Sequence, residues 1–200
     1  MTAFDMPDIP IKRSRFGLRF NTAQFESPLS GDVQRLELAG ARWFAEYTFR
    51  QTTAAEVGAL QAFLVKLRGR ANTFNGYDPD RTTPLGTASG TPLVNGADQT
   101  GGSLITDGWA NSQVVLKQGD YFSVNSELKM VTADVTSDGS GNATITFEPV
   151  LRTSPADNAA ITLSNPTCTM ILDADDAGQW QAGAGNYYDE ITITATEMFN

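Results

Sequence analysis

Residues 53–79 read TAAEVGALQAFLVKLRGRANTFNGYDP, and this stretch decides the fold. Thr53 and Glu56 have capping-box spacing: the hydroxyl can accept from an early backbone N–H while the Glu56 carboxylate answers the donor at the cap. Val57, Leu60, Leu64 and Leu67 recur at helical spacing with Phe63 beside them. Lys66 and Arg68 fall in the last turn, where the helix dipole favours cations, and Gly69 is placed for a left-handed stop. The spacing therefore predicts one helix over 53–69 with a single apolar stripe facing a sheet. An aromatic turn, Phe74 to Pro79, follows at once.

On the amino-terminal side the period is two. Phe16, Leu18 and Phe20 alternate with Arg15, Gly17 and Arg19; Leu36 and Leu38 with Arg35 and Glu37; and Trp43, Ala45, Tyr47 and Phe49 with mostly polar neighbours. Half-buried strands are expected, with turns at Ser30-Gly31-Asp32 and Ala39-Gly40. Beyond Pro79 the composition shifts, and Thr82 to Gly102 reads as a long loop or linker with short extended pieces. Further strands are expected at 113–116, 121–124, 127–135, 143–147 and 160–163, with turns at Lys117 to Asp120 and Asp138 to Asn142. A change of alternation near Met130-Val131 suits a bulge or a barrel corner. Asn165-Pro166 marks a second boundary. Cys168, Met170 and Leu172 form another alternating strand, and Ile191, Ile193 and Ala195 the last.

The expected fold is mainly β (α+β). Residues 1–81 with 167–200 would form a β-sandwich-like unit carrying the one packed helix, and residues 84–166 an inserted, small β-barrel or sandwich.

Composition narrows the chemistry. Fourteen Lys and Arg face 23 Asp and Glu, a formal charge of −9, so holding nucleic acid by neutralising its phosphates is not expected. Histidine is absent and Cys168 is the single cysteine, which removes the commonest metal ligand, the usual general base and any intramolecular disulfide. Met1 to Pro10 carries Asp5 and Asp8 without a basic start, and no segment approaches the ~20 apolar residues that span a bilayer. A soluble chain made in the cytoplasm, without membrane insertion, is expected.

The loop Asp173 to Gly178 has carboxylates, but Ala177 and Ala184 stand where a calcium loop of the EF-hand type needs oxygen ligands, so it reads as a solvated acidic loop. Asp120, Glu127, Asp134, Glu148 and Glu190 could supply a hydrolytic pair only if two met in one cleft with one pKa raised; otherwise they dress an acidic surface. Gly183 and Gly185, like Gly86 and Gly90, read as turns rather than a phosphate cradle. Of the aromatic residues that could stack on a sugar, Trp43, Phe44, Phe74, Tyr77, Tyr121, Tyr187 and Tyr188 read mostly as core or interface, while Trp109 and Trp180, placed in loops, keep a sugar-binding module in view. Lys12, Arg13, Arg15 and Arg19 form a dense basic patch, either a solvated strand face or half of a complementary contact. No catalytic, cofactor-binding or metal-binding residues emerge, and no enzyme is expected.

Several stretches, taken in order, resemble a family of tail proteins of long-tailed bacteriophages: Leu36 to Trp43, Phe63 to Gly69, Phe74 to Pro79, Lys117 to Phe122, Asp138 to Ala143, and Phe147-Glu148-Pro149. The role they resemble most is that of the distal tail protein. The resemblance implies a non-enzymatic virion subunit forming a hexameric ring at the tail tip, assembled in the host cytoplasm. Its implied partners are further copies of itself, the tail tube protein, and the hub and receptor-binding proteins. The strand-helix unit before Pro79 would build the ring and the segment from Pro84 to Pro166 would point outward. An acidic lumen would let DNA pass without binding it.

Overall fold

A computed structural model describes residues 3–50, 53–181 and 190–199. Helix α1 spans Ala54–Leu67, and its start is the expected capping box, with the Thr53 hydroxyl accepting from Glu56 N and the Glu56 carboxylate accepting from Thr53 N at 2.9 Å. Its end differs in detail. The left-handed cap falls on Arg68 (φ 52°), and Gly69 repeats that conformation (φ 63°) before a short 3-10 turn over Gly69–Ala71. Gly69 is needed there for a second reason: a Cβ would lie 2.8 Å from the Asp175 backbone.

The stripe of Val57, Leu60, Phe63, Leu64 and Leu67 is buried. Its Leu60, Phe63, Leu64 and Leu67 pack in a core with Trp43, Ala45, Tyr47, Phe49, Cys168, Met170, Ile191 and Ile193, and Phe63 meets the ring of Phe74 edge-on.

That core lies against a six-stranded sheet. Its strands are β1 (Phe4–Asp5), β2 (Ile11–Glu26), β3 (Val33–Phe49), β4 (Phe74–Gly76) and two late strands, and the spatial order places β1 and β4 at one side and β3 and β2 at the other. Between them lie the carboxyl-terminal strands Cys168–Leu172 and Ile191–Glu197. The last strand pairs antiparallel with β3 and with its late neighbour, so its strict alternation of buried Ile191, Ile193 and Ala195 reflects a central position.

The middle of the chain forms β5 (Gly90–Val94), β6 (Gly101–Trp109), β7 (Val114–Leu116), β8 (Tyr121–Val124), β9 (Glu127–Val131), β10 (Val135–Thr136) and β11 (Ala143–Leu151). Five of these make a sheet in the order β5-β6-β11-β9-β8, and β10 pairs with β7. The strands at 168–172 and 191–197 complete the series as β12 and β13. The chain is mainly β with one α-helix, and one of its sheets curls into half a barrel.

Four local expectations need correction. β5 and the first two residues of β6 lie in the stretch read as a loop or linker with short extended pieces, but β6 runs on to Trp109, where no strand is expected. Its Gly and Thr content hid it, although Leu104, Thr106 and Trp109 point inward. Trp109 is therefore a buried strand residue, its indole N–H donating to the Thr106 hydroxyl at 2.8 Å. Residues 160–163 make only isolated bridges, Ala160 to Leu93 and Thr162 to Ser123. Ala39-Gly40 is no turn. Residues 39–41 oppose Phe20 alone within the continuous β2–β3 ladder, a bulge in which Gly40 adopts φ 109°.

The two parts of the chain meet on Trp43. Its indole N–H donates to Leu128 O at 2.8 Å, Phe16 stacks on it, and Tyr121 meets it edge-on at 5.6 Å. The two connecting segments also touch, with Asn165 N donating to Thr82 O at 2.7 Å.

Candidate functional site

β2 and β3 continue past the sheet as a two-stranded ribbon. From Arg19 to Gly40 every residue except Ser27 is exposed. The register pairs Asn21 with Leu38, Ala23 with Leu36, and Phe25 with Gln34, which sets Ala23, Phe25, Leu36 and Leu38 on one face. The other face carries Thr22, Gln24, Glu26, Arg35 and Glu37, with Phe20 and Val33 its apolar exceptions. The ribbon is thus amphipathic, yet its apolar face is open to solvent: Phe25 is 64% and Leu36 61% exposed. A lone hairpin is marginally stable in water, so a ribbon of this length with one greasy face is shaped to be covered. Its tip, Glu26 to Asp32, holds two carboxylates and no cation, and projects Leu29, which is 98% exposed.

By the same alternation, the apolar face runs down into a basic surface. Arg15, Gly17 and Arg19 of β2 face Glu46, Phe44 and Arg42 of β3. Around Gly17 all of these but Arg42, which turns to the Phe199 ring, line a cleft of about 520 Å³. Arg15 and Arg19 both lie over the Phe44 ring, 5.4 and 5.3 Å from its centre. Among the described residues neither guanidinium forms an ion pair. Of the basic patch read from sequence, Lys12 is engaged elsewhere, with Glu190. β2 is also the terminal strand of its sheet, so among the described residues its outer backbone edge has no strand partner.

A second polar cluster ties the two parts together. Lys129 is fully buried, its ammonium donating to Glu127 at 2.7 Å and to Val150 O at 2.9 Å. Glu127 also accepts from the backbone N–H groups of Arg152 and Thr153. Burial lowers the Lys129 pKa despite this partner. Glu197, opposed by Arg152 and by Trp43 N–H, is still raised by burial. Arg42 and Arg152 both stack on the Phe199 ring, at 4.2 and 4.0 Å.

The carboxylates weighed for hydrolysis fall to separate tasks. Buried Asp120 accepts from Leu85, Gly86 and Lys117 N–H groups; Glu127 pairs with Lys129; Asp134 accepts from Gln118 N; Glu148 is exposed on β11; Glu190 pairs with Lys12. In the acidic loop, Asp173 accepts from the Thr196 hydroxyl and Asp175 from Arg70 N. Gly183, Ala184, Gly185, Tyr187 and Tyr188 lie outside the described residues. Of the two tryptophans that suggested sugar stacking, Trp180 is exposed in a loop beside Leu64 and Val65, whereas Trp109 is buried. Burial also pushes the Cys168 thiol well up, away from reactivity. No family model and no curated protein matches the chain.

The sequence missed the ribbon as a site because its alternation looks like that of any half-buried strand. The available signal was a switch of parity on both strands. The apolar positions are even through Phe20 but odd at Ala23 and Phe25, and even at Leu36 and Leu38 but odd from Trp43, so the apolar face of the outer part is not the one that faces the core.

Proposed function

We propose that this chain is a structural subunit of a phage tail tip, assembling with copies of itself into a ring that joins the tail tube to the hub and host-recognition apparatus. The observation that carries the reading is the amphipathic ribbon, whose exposed apolar face has value only against another surface. The outer edge of β2 adds a backbone ladder that a neighbouring chain can extend. The charge of −9 favours a lumen that repels DNA rather than one that grips it. The motif resemblance supplies the tail-tip role, and the ring order of six comes from that resemblance alone.

The test is solution mass by light scattering followed by negative-stain imaging. A particle several times the 21.5 kDa chain with a central opening is expected. Replacing residues 22–37 by an Asn-Gly turn should leave a folded monomer. A parent chain that stays monomeric and shifts its tryptophan fluorescence with glycans would replace this reading with a carbohydrate-binding module.

A further inference from the structure

We infer that the contact between neighbouring copies is made by the ribbon tip of one subunit entering the Arg15–Arg19 cleft of the next. This rests on the assembly reading and names the surfaces that carry it. The two features are complementary in sign and in shape. The tip, Glu26 to Asp32, carries two carboxylates, no cation and a protruding Leu29. The cleft carries Arg15 and Arg19 against the single carboxylate Glu46, over the floor of Phe44. Gly17 leaves the cleft mouth open, since a Cβ there would meet nothing within 4 Å.

Neither half is satisfied within its own chain. Among the described residues Arg15 and Arg19 lack ion pairs, and the Asp32 carboxylate accepts only from the Ser30 hydroxyl of the same turn. Tip and cleft lie on one strand, nine residues apart between Gly17 and Glu26, which at strand rise is about 30 Å. A subunit cannot fold its own tip back across a continuous ladder of that length. The pairing is therefore between molecules and head-to-tail, the kind of contact that closes into a ring when the rotation allows.

The test is a charge exchange on the full chain, read by analytical ultracentrifugation with thermal melting as the folding control. Arg15→Glu with Arg19→Glu gives an acidic tip facing an acidic cleft; Glu26→Lys with Asp32→Lys gives a basic tip facing a basic cleft. Each double variant alone should sediment as a folded monomer. A one-to-one mixture of the two should regain the parent's sedimentation, because each tip then finds a cleft of opposite sign, and the quadruple variant should do so unaided. Should Asp32→Lys upset the turn, Glu26→Lys alone should weaken assembly in the same direction. Double variants that assemble like the parent would overturn this contact while leaving the assembly reading intact. Variants that fail singly and are not restored by mixing would also overturn it, since the loss would not be one of charge pairing. A parent that is monomeric at every concentration would overturn both.

Discussion

Arg152 and Glu197 form an ion pair at 2.5 Å that joins the residue after β11 to the last residue of β13, and so ties the middle of the chain to the sheet formed by its ends. Glu197 is 2% exposed and accepts a second bond from Trp43 N at 3.1 Å. Removing the guanidinium leaves a buried carboxylate without its counter-charge. Arg152→Ala should cost about 3–5 kcal/mol in denaturant unfolding, and Arg152→Lys should recover only part, because an ammonium reproduces neither the two-nitrogen contact nor the stacking on Phe199. An unchanged unfolding midpoint in Arg152→Ala would show the pair to be idle.

The Glu127 carboxyl gives a pH signature. Burial acts to raise its pKa, but the hydrogen bond and charge of Lys129, with the N–H of Arg152, outweigh burial and bring it below its ordinary value. The native state then binds fewer protons than the unfolded chain at this group. Its stabilisation is complete above the unfolded value of about 4.3 and is lost as pH falls through the lower, folded value. Thermal melts of Glu127→Gln should start lower at neutral pH, since Lys129 loses its partner, and fall less steeply than the parent's as pH drops below about 4.3. Parallel curves for the two proteins would contradict this assignment.

Helix α1 separates buried from exposed positions cleanly. Leu60→Ala and Leu64→Ala should each cost about 2–5 kcal/mol, whereas Val65→Ala, at a position 64% exposed, should stay within about 0.5 kcal/mol of the parent. Equal melting temperatures for all three would mean that the stripe does not hold the helix on the sheet.

Limited proteolysis should report on the ribbon directly. With chymotrypsin, the isolated monomer should be cut first at Phe25 or Leu29, and the assembled form should resist at both positions. Cleavage at equal rates in both forms would place the ribbon outside the contact.

Much of the fold was legible because the relevant signals were local. The Thr53–Glu56 box, the stripe through Leu67, and the alternation of β12 and β13 each depend on neighbours within a few residues, and each matches the structure. Where two patterns compete, local reading fails. β6 places Trp109 inward in a Gly-Thr stretch that resembles a loop, and Gly40 reads as a turn although its freedom serves a bulge. The ribbon illustrates a different limit. Alternation at Phe25 and Leu36 specifies an apolar face but says nothing of what lies over it, and burial by another molecule leaves the same pattern as burial within the chain.

The hydrogen bond from Asn165 to Thr82 means that the backbone departs from the first sheet and rejoins it at nearly one point. In topological terms the intervening segment could be exchanged for another module without re-threading a single strand of that sheet. Energetically it is not so free, because Leu128 caps the Trp43 indole, Tyr121 covers its ring and Arg152 neutralises Glu197. A grafted replacement would have to bring a carbonyl, an aromatic ring and a cation to those three places, and that triplet is the minimum specification for swapping the middle of this chain while keeping the sheet formed by its ends.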